Sequence, residues 1–227
     1  NETQKDFVNN FTHEFKTPLA VIKIASDVLK QKNIIDKPEK LTNYAGIINE
    51  QTAHLQMQVQ RLLEIAYTDQ SHLPLEKELF DANELIQKSI NDLQPFIEQK
   101  NALVHTNYSI PVANIKADKA YLRLCLINLI ENAIKYAEKP VIEIDTNIEG
   151  NNYSITVKDN GIGIATEHQK KIFERFYRIT EGELHSSKGF GLGLNFVKKV
   201  IDTHNGKIDV KSEPGKGSTF TIKIPRN

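Results

Sequence analysis

Apolar residues in the first third of the chain recur at helical spacing. Val8, Phe11, Phe15, Leu19, Ile22 and Leu29 follow one another at intervals of three, four and seven, which predicts a helix over residues 2–29. A short polar connection at 31–37 leads to Pro38, and a second helix is predicted from about 39 to 67. In it Leu41, Ile48, Leu55 and Leu62 are seven apart, with Tyr44/Ala45, Val59 and Ala66 in the companion seam, a heptad stripe kept for four repeats. Two helices joined by a short loop make a hairpin, and a hairpin covers only part of each stripe. A fully buried Leu or Ile is worth roughly 1.5–3 kcal/mol, so an uncovered seam is unfavourable. Pairing two hairpins in a two-fold homodimer closes a four-helix bundle and covers it. Packing of the hairpin on the rest of its own chain is the alternative.

Residues 69–78 are polar, carry a proline and read as a boundary, giving an expected helical domain at 1–70 and a second domain at 75–227. Beyond it the pattern is mixed. Residues 82–100 and 118–137 are predicted as helices, the first with Asp81 as N-cap, and 191–204 as a third. Residues 102–108 are predicted as a strand. Two hairpins are expected, 141–148 with 153–158 across Glu149-Gly150-Asn151-Asn152, and 207–212 with 218–224 across Pro214-Gly215-Lys216-Gly217. Helices interleaved with antiparallel strands predict an α/β sandwich, with one face of the sheet covered by helices.

Composition changes this picture little. Hydrophobic residues form 39% of the 227, enough for a globular core, and Lys plus Arg equals Asp plus Glu at 29 each. That balance gives no electrostatic reason to expect nucleic acid, and none is expected as a partner. The lone cysteine, Cys125, excludes an internal disulfide and reads as a small buried apolar residue. No signal peptide or membrane-length apolar run is visible. The chain opens in a helical pattern without a leader, so it is expected to be part of a longer protein with an input region before Asn1.

Several groups of residues carry possible chemistry. In His13-Glu14-Phe15-Lys16-Thr17-Pro18, His13 lies two residues from both Phe11 and Phe15, about 200° around the helix, so its ring is expected in solvent. Thr17 is one turn further on the same face, and Pro18 removes the N–H that would bond the Glu14 carbonyl, loosening the helix there. An ordinary surface histidine is the alternative reading of His13 taken alone. On the helix 118–137, Asn128, Asn132 and Lys135 share a face while Leu126, Leu129, Ile130 and Ala133 form the buried side. Amide oxygens suit Mg²⁺ and an ammonium suits phosphate; a merely solvated face is the alternative. Asp159-Asn160-Gly161-Ile162-Gly163-Ile164 follows a strand, and a carboxylate there can accept from an exocyclic amine such as that of adenine. Gly189-Phe190-Gly191-Leu192-Gly193-Leu194 opens a helix, whose N–H groups attract phosphate. No strand leads into it and no Gly-Lys-Ser/Thr follows, so neither the dinucleotide fingerprint nor a P-loop applies. Between them an aromatic segment, 172–178, and the polar run 179–188 read as a hinge and lid.

Taken in order, these five groups resemble the catalytic core of a sensor histidine kinase over essentially the whole chain. The H-box is 11–19, the N-box 128–136, the first G-box 159–164, the F-box 173–178 and the second G-box 189–194. The resemblance implies a HisKA-type phosphoacceptor hairpin followed by a GHKL (Bergerat-type) ATP-binding domain, shared with gyrase and Hsp90-like ATPases. It implies that His13 is the phosphoacceptor, Glu14 its acidic neighbour, and Thr17 the position linked to phosphatase activity. It implies Asn132 as Mg²⁺ ligand with Asn128 beside it, Lys135 and Arg178 on phosphates, and Tyr136 near the nucleoside. Asp159 would read adenine with Gly161 and Gly163 giving it room, and Gly189, Gly191 and Gly193 would shape the lid hinge and phosphate contact. Phe190 and Lys16 depart from the family's usual small hydroxyl residue and Arg, which removes a side-chain contact and a forked donor.

The implied reaction is transfer of the ATP γ-phosphoryl group to His13 with Mg²⁺, then to an Asp of a separate response-regulator receiver domain. The protein would be the cytoplasmic portion of a sensor anchored in a membrane only through a segment outside this chain. Transfer within a protomer or across the dimer depends on the handedness of the loop at 31–40, which the sequence leaves open. Two other classes remain at this point. An ATPase clamp on the same fold would leave no label on the protein, and a non-catalytic dimeric scaffold would not bind ATP.

Overall fold

The structure, a computed structural model, describes residues 2–31, 34, 37–68, 73–179 and 191–226, with side chains described for 15–31, 34, 37–52, 55, 73–179 and 191–226. The chain divides into two compact units, residues 1–63 and 64–227.

Helix α1 spans Glu2–Leu29, and α2 spans Pro38–Thr68, all but its last five residues lying in the first unit. Helix α1 continues through Pro18, which is buried. Pro38 begins α2, where a missing N–H is harmless and the fixed φ suits the first turn. Ala25 and Ile34 are buried, whereas Leu19 is 53% exposed, Ile24 64% and Leu41 41%. The apolar spacing alone would place Leu19 and Leu41 inside. Two helices have too little facing surface to cover both stripes, so part of each seam stays wet. Phe15, Ile48 and Leu55 are half-buried. Val8, Phe11, Val59, Leu62 and Ala66 lie outside the described side chains.

The second unit is an α/β sandwich, as the alternation predicts. Strand β1 (Lys77–Asp81) pairs antiparallel with β3 (Asn114–Asp118) in a small two-stranded sheet. The sequence pattern missed this pair because β1 has little alternation: Leu79 is 70% exposed. Asp81 caps α3 (Ala82–Asp92), accepting from the Asn83 N–H at 3.0 Å, and also accepts from the Ala113 N–H at 2.9 Å. The single helix expected over 82–100 is two, α3 and α4 (Gln94–Gln99), meeting at Leu93. Pro95 has no N–H for the carbonyl of Asn91, so the first helix stops, and Pro95 sits harmlessly in the first turn of the next.

The main sheet has the order β2-β4-β5-β7-β6, formed by β2 (Leu103–Asn107), β4 (Val141–Glu149), β5 (Asn152–Asp159), β6 (Lys207–Glu213) and β7 (Gly217–Pro225). Only β2 and β4 run parallel; the other neighbours are antiparallel. Ile142, Ile144, Tyr153, Ile155, Val157, Phe220, Ile222 and Ile224 alternate inward and are buried. They meet α5 (Lys119–Lys135), which packs on β4 and β5, and α6 (Gly193–Thr203), which packs on β6 and β7. The opposite face is polar, with Lys158–Glu143 at 2.8 Å and Lys223–Glu149 at 2.6 Å. This period-2 split puts Asp159 on the helix-covered face at the end of β5.

Candidate functional site

Helix α5 starts at Asp118, whose carboxylate accepts from the Tyr121 N–H at 2.9 Å. From that start the 3.6-residue repeat buries Leu122, Leu126, Leu129, Ile130 and Ala133, and leaves Asn128, Asn132, Lys135 and Tyr136 half-buried along another face. Asn128 Nδ2 donates to the Leu124 carbonyl at 3.1 Å, orienting the amide. Its Oδ1 faces the first residue of α6: a Cβ on Gly193 would stand 2.2 Å from that oxygen. Glycine at 193 is therefore what lets the α6 N-terminus approach the polar face of α5. Lys135 Nζ lies 5.1 Å from the centre of the Tyr136 ring.

At the other end of α5, the Tyr136 N–H donates to the Asn132 carbonyl at 3.1 Å and the Tyr136 carbonyl accepts from the Ile162 N–H at 3.0 Å. A Cβ on Gly161 would come within 2.7 Å of that carbonyl. The loop after β5 is thus stitched to the end of α5. Asn160 holds its outer side, accepting from the Val141 N–H at 2.9 Å and donating to the Lys139 carbonyl at 3.0 Å. Gly163 has φ +71 and packs on the Glu213 carbonyl, so it bends the loop against β6.

Asp159 sits at the base of this loop, 8% exposed. Its Oδ1 accepts from the Gly161 N–H at 2.8 Å and the Ser218 N–H at 3.1 Å, and no bond to Oδ2 is found among the described residues. Burial raises its pKa above the ordinary carboxylate value, while the two N–H groups oppose the shift. One oxygen is locked by the backbone, so the other has a defined direction in which to accept a donor.

The aromatic segment joins the same region through α6. Lys171–Phe173 form a 3₁₀ turn with Ile172 buried, and Asn195 Nδ2 donates to the Phe173 carbonyl at 2.8 Å. The Phe176 N–H donates to the Gly191 carbonyl at 2.9 Å, both residues having positive φ, and a Cβ on Gly191 would stand 2.7 Å from the Tyr177 carbonyl. His168 Nδ1 meets the Tyr177 hydroxyl at 2.6 Å. Arg178 follows, exposed.

These contacts bring together Asn128 with Gly193, Tyr136 with Gly161, Asp159 with Gly161, and Gly191 with the residues just before Arg178. Thr17 is exposed on α1 in the first unit. The side chains of His13 and Glu14, and all of Gly189 and Phe190, lie outside the described residues. Sequence reasoning missed Ser218 and Gly217, which bring β7 onto Asp159, and Asn195, which ties α6 to the aromatic segment. In the sequence Gly217 signals only a turn, and no local pattern marks a partner 22 positions away for Asn195.

A helix-covered mixed sheet with an oriented carboxylate and a glycine-roofed helix start defines a domain of the nucleotide-binding α/β type. Comparison with known proteins narrows this. Residues 117–227 match the family described as histidine kinase-, DNA gyrase B-, and HSP90-like ATPase, and residues 3–71 match the His Kinase A (phospho-acceptor) domain. The chain is 39% identical over 228 residues to the sensor protein RprX of Bacteroides fragilis, a match spanning 99% of this chain and 44% of that protein. Among solved structures it resembles full-length ShkA in complex with AMPPNP, with TM-score 0.67 and 26% identity, covering 97% of this chain and 45% of that one. It also resembles histidine kinase ThkA in complex with response regulator protein TrrA, with TM-score 0.61 and 26% identity, covering 98% and 61%. The chain belongs to the sensor histidine kinases and carries their phosphoacceptor and ATPase-type domains. It spans about half the length of the curated relatives it matches.

Proposed function

We propose that this chain binds ATP in residues 75–227, transfers the γ-phosphoryl group to His13 in residues 1–70, and passes it to an aspartate of a response-regulator receiver domain. The observation that carries the reading is Asp159, one oxygen held by two backbone N–H groups and the other left to accept from the exocyclic amine of adenine. The approach of Gly193 to Asn128 supports a phosphate site at the α6 N-terminus, beside the amides of α5. AMPPNP in ShkA is an ATP analogue, and TrrA bound to ThkA is a response regulator, which supports both the nucleotide and the partner.

The amide oxygen of Asn132, with Asn128 one turn away on the same helix, would hold Mg²⁺, a hard cation that takes oxygen ligands. A bound Mg²⁺ would offset charge developing between the β- and γ-phosphates. Lys135 and Arg178 supply further positive charge toward phosphate, Tyr136 lines the nucleoside, and Gly161 and Gly163 keep the loop close. Gly189 and Gly191 are assigned to the same phosphate-contacting group as Gly193, Gly189 lying outside the described residues. His13 attacks as neutral imidazole, since a protonated ring has no lone pair, and Glu14 takes the ring proton as the N–P bond forms and the bond to ADP breaks.

Two hairpins pair in a homodimer through the heptad seam, covering the exposed Leu41. Thr17 would hold a water in line with the receiver's phospho-aspartate, so that water replaces the imidazole as nucleophile, inorganic phosphate leaves and the aspartate is freed. No described helix is long and apolar enough to cross a membrane, and attachment to one is assigned to a segment outside this chain. The decisive experiment is incubation with γ-labelled ATP. Label is expected on His13, stable in base and lost in acid, and absent from His13→Gln although ATP still binds. Acid-stable label, or undiminished label in the variant, overturns the assignment.

A further inference from the structure

The aromatic segment contains a strained turn that its own exposed ring does not hold. The Tyr177 N–H closes the turn on the Glu174 carbonyl at 3.3 Å, and Phe176 within it has φ +64. A bulky side chain takes that conformation only where its surroundings enforce it. Yet the Phe176 ring is 50% exposed, with the Arg175 guanidinium 4.9 Å from its centre. Two bonds flank the strained residue. On one side the Phe176 N–H donates to the Gly191 carbonyl at 2.9 Å. On the other the Tyr177 hydroxyl meets His168 Nδ1 at 2.6 Å, the two ring centres 6.0 Å apart. His168 Nε2 is buried and has no hydrogen-bond partner among the described residues, so within them the Tyr177 hydroxyl is the polar group that orients the imidazole.

His168 can anchor Tyr177 because its own backbone is fixed. Its N–H donates to the Ala165 carbonyl and its carbonyl accepts from the Ile172 N–H, each at 2.9 Å. The next residue, Gln169, donates through Nε2 to the Ile164 carbonyl at 3.0 Å and the Ser212 carbonyl at 2.8 Å. The imidazole therefore stands on a base tied to the loop after β5 and to β6, and it reaches across to the turn that packs on Gly191. Two residues further on, Gly193 opens α6 against Asn128. We propose that His168 is a positioning residue for nucleotide binding: by holding the Tyr177 hydroxyl it keeps the 174–177 turn seated on Gly191, and so keeps the start of α6 against Asn128 on the phosphate side of the cradle. The inference rests on the function proposed above, which assigns phosphate to that helix start. Asp159 draws its two N–H groups from Gly161 and Ser218, which lie outside this turn, so recognition of the base is left in place when the link is broken.

The test titrates the full chain with ATP and ITP as wild type, His168→Leu, Tyr177→Phe, the double variant and His168→Asn. Leucine removes the ring nitrogen, phenylalanine removes only the hydroxyl, and an asparagine amide can meet the hydroxyl again from near the Nδ1 position. Loss of this one bond is expected to weaken ATP binding about five-fold in either single variant, with ITP weakened by the same factor, so that the ratio of the two stays at its wild-type value. Because both groups act through one bond, the double variant is expected to bind no more weakly than either single one, and His168→Asn to restore most of the affinity. Hydrogen exchange at the Phe176 amide, measured without nucleotide, is expected to rise in His168→Leu and Tyr177→Phe. The proposal is overturned by unchanged ATP affinity, by losses that add in the double variant, or by a changed ratio of ATP to ITP. It is equally overturned by a Phe176 amide that stays protected, or by His168→Asn binding as weakly as His168→Leu. Should His168→Leu not fold, Tyr177→Phe keeps the ring and decides on affinity, ratio and exchange. A wild-type chain that binds no ATP instead defeats the functional reading, while Phe176 exchange still reports whether His168 holds the turn.

Discussion

Replacing Asp159 by asparagine tests the cradle with almost no change in shape. The amide oxygen can take the place of Oδ1 and keep both backbone bonds, from Gly161 at 2.8 Å and Ser218 at 3.1 Å. The NH₂ group then stands where Oδ2 stood, and a charge-assisted acceptor becomes a donor facing the adenine amine. Loss of one such bond is worth roughly 1.5–3 kcal/mol, or about ten- to hundred-fold in affinity. Calorimetric titration with ATP and ITP separates this from general damage. ITP carries a carbonyl where ATP has the amine, so the wild-type chain is expected to prefer ATP and Asp159→Asn to lose that preference. Stability moves the other way. A carboxyl pKa raised in the folded state means that folding favours the protonated form. Its stabilising contribution is present in acid and lost as pH rises through the folded pKa. At neutral pH the uncharged Asp159→Asn variant is therefore expected to be at least as stable to urea as the wild type. Unchanged ATP affinity, or equal loss of ATP and ITP binding with a less stable fold, would refute the reasoning.

Gly193→Ala places a methyl 2.2 Å from Asn128 Oδ1, so the amide must turn away; weaker Mg-ATP binding, by about ten-fold, is expected in titration with little change in helix content by circular dichroism. Leu55→Asp puts a charge in the heptad seam and is expected to turn the dimer formed by residues 1–70 into monomer in sedimentation; a wild-type hairpin that is a folded monomer contradicts the bundle. Thr17→Ala is expected to slow decay of the phosphorylated receiver while sparing His13 labelling, and if both rates fall together Thr17 is structural.

The sequence by itself determined what rests on contacts within a few turns of chain. Helices α1, α2 and α5 follow from spacing at three, four and seven, the Asp81 cap from one side chain and its neighbours, and the β4–β5 hairpin from a turn flanked by alternation. The order of the five motifs was legible because each is a short local string. Other features belong to the tertiary structure alone. The pairing of β1 with β3 was not legible because β1 carries no alternation, Leu79 facing solvent. The parallel placement of β2 beside β4 depends on sheet order, which no local pattern encodes. What makes Asp159 a directed acceptor is the Ser218 N–H, 59 positions away, brought there by β7 lying beside β5. The Asp118–His204 bond spans 86 positions. Local hydrogen bonds and side-chain periodicity are written in adjacent residues, so a sequence displays them. The groups that orient a buried polar side chain come from wherever the sheet and its helices bring the backbone, and only the packed fold decides that.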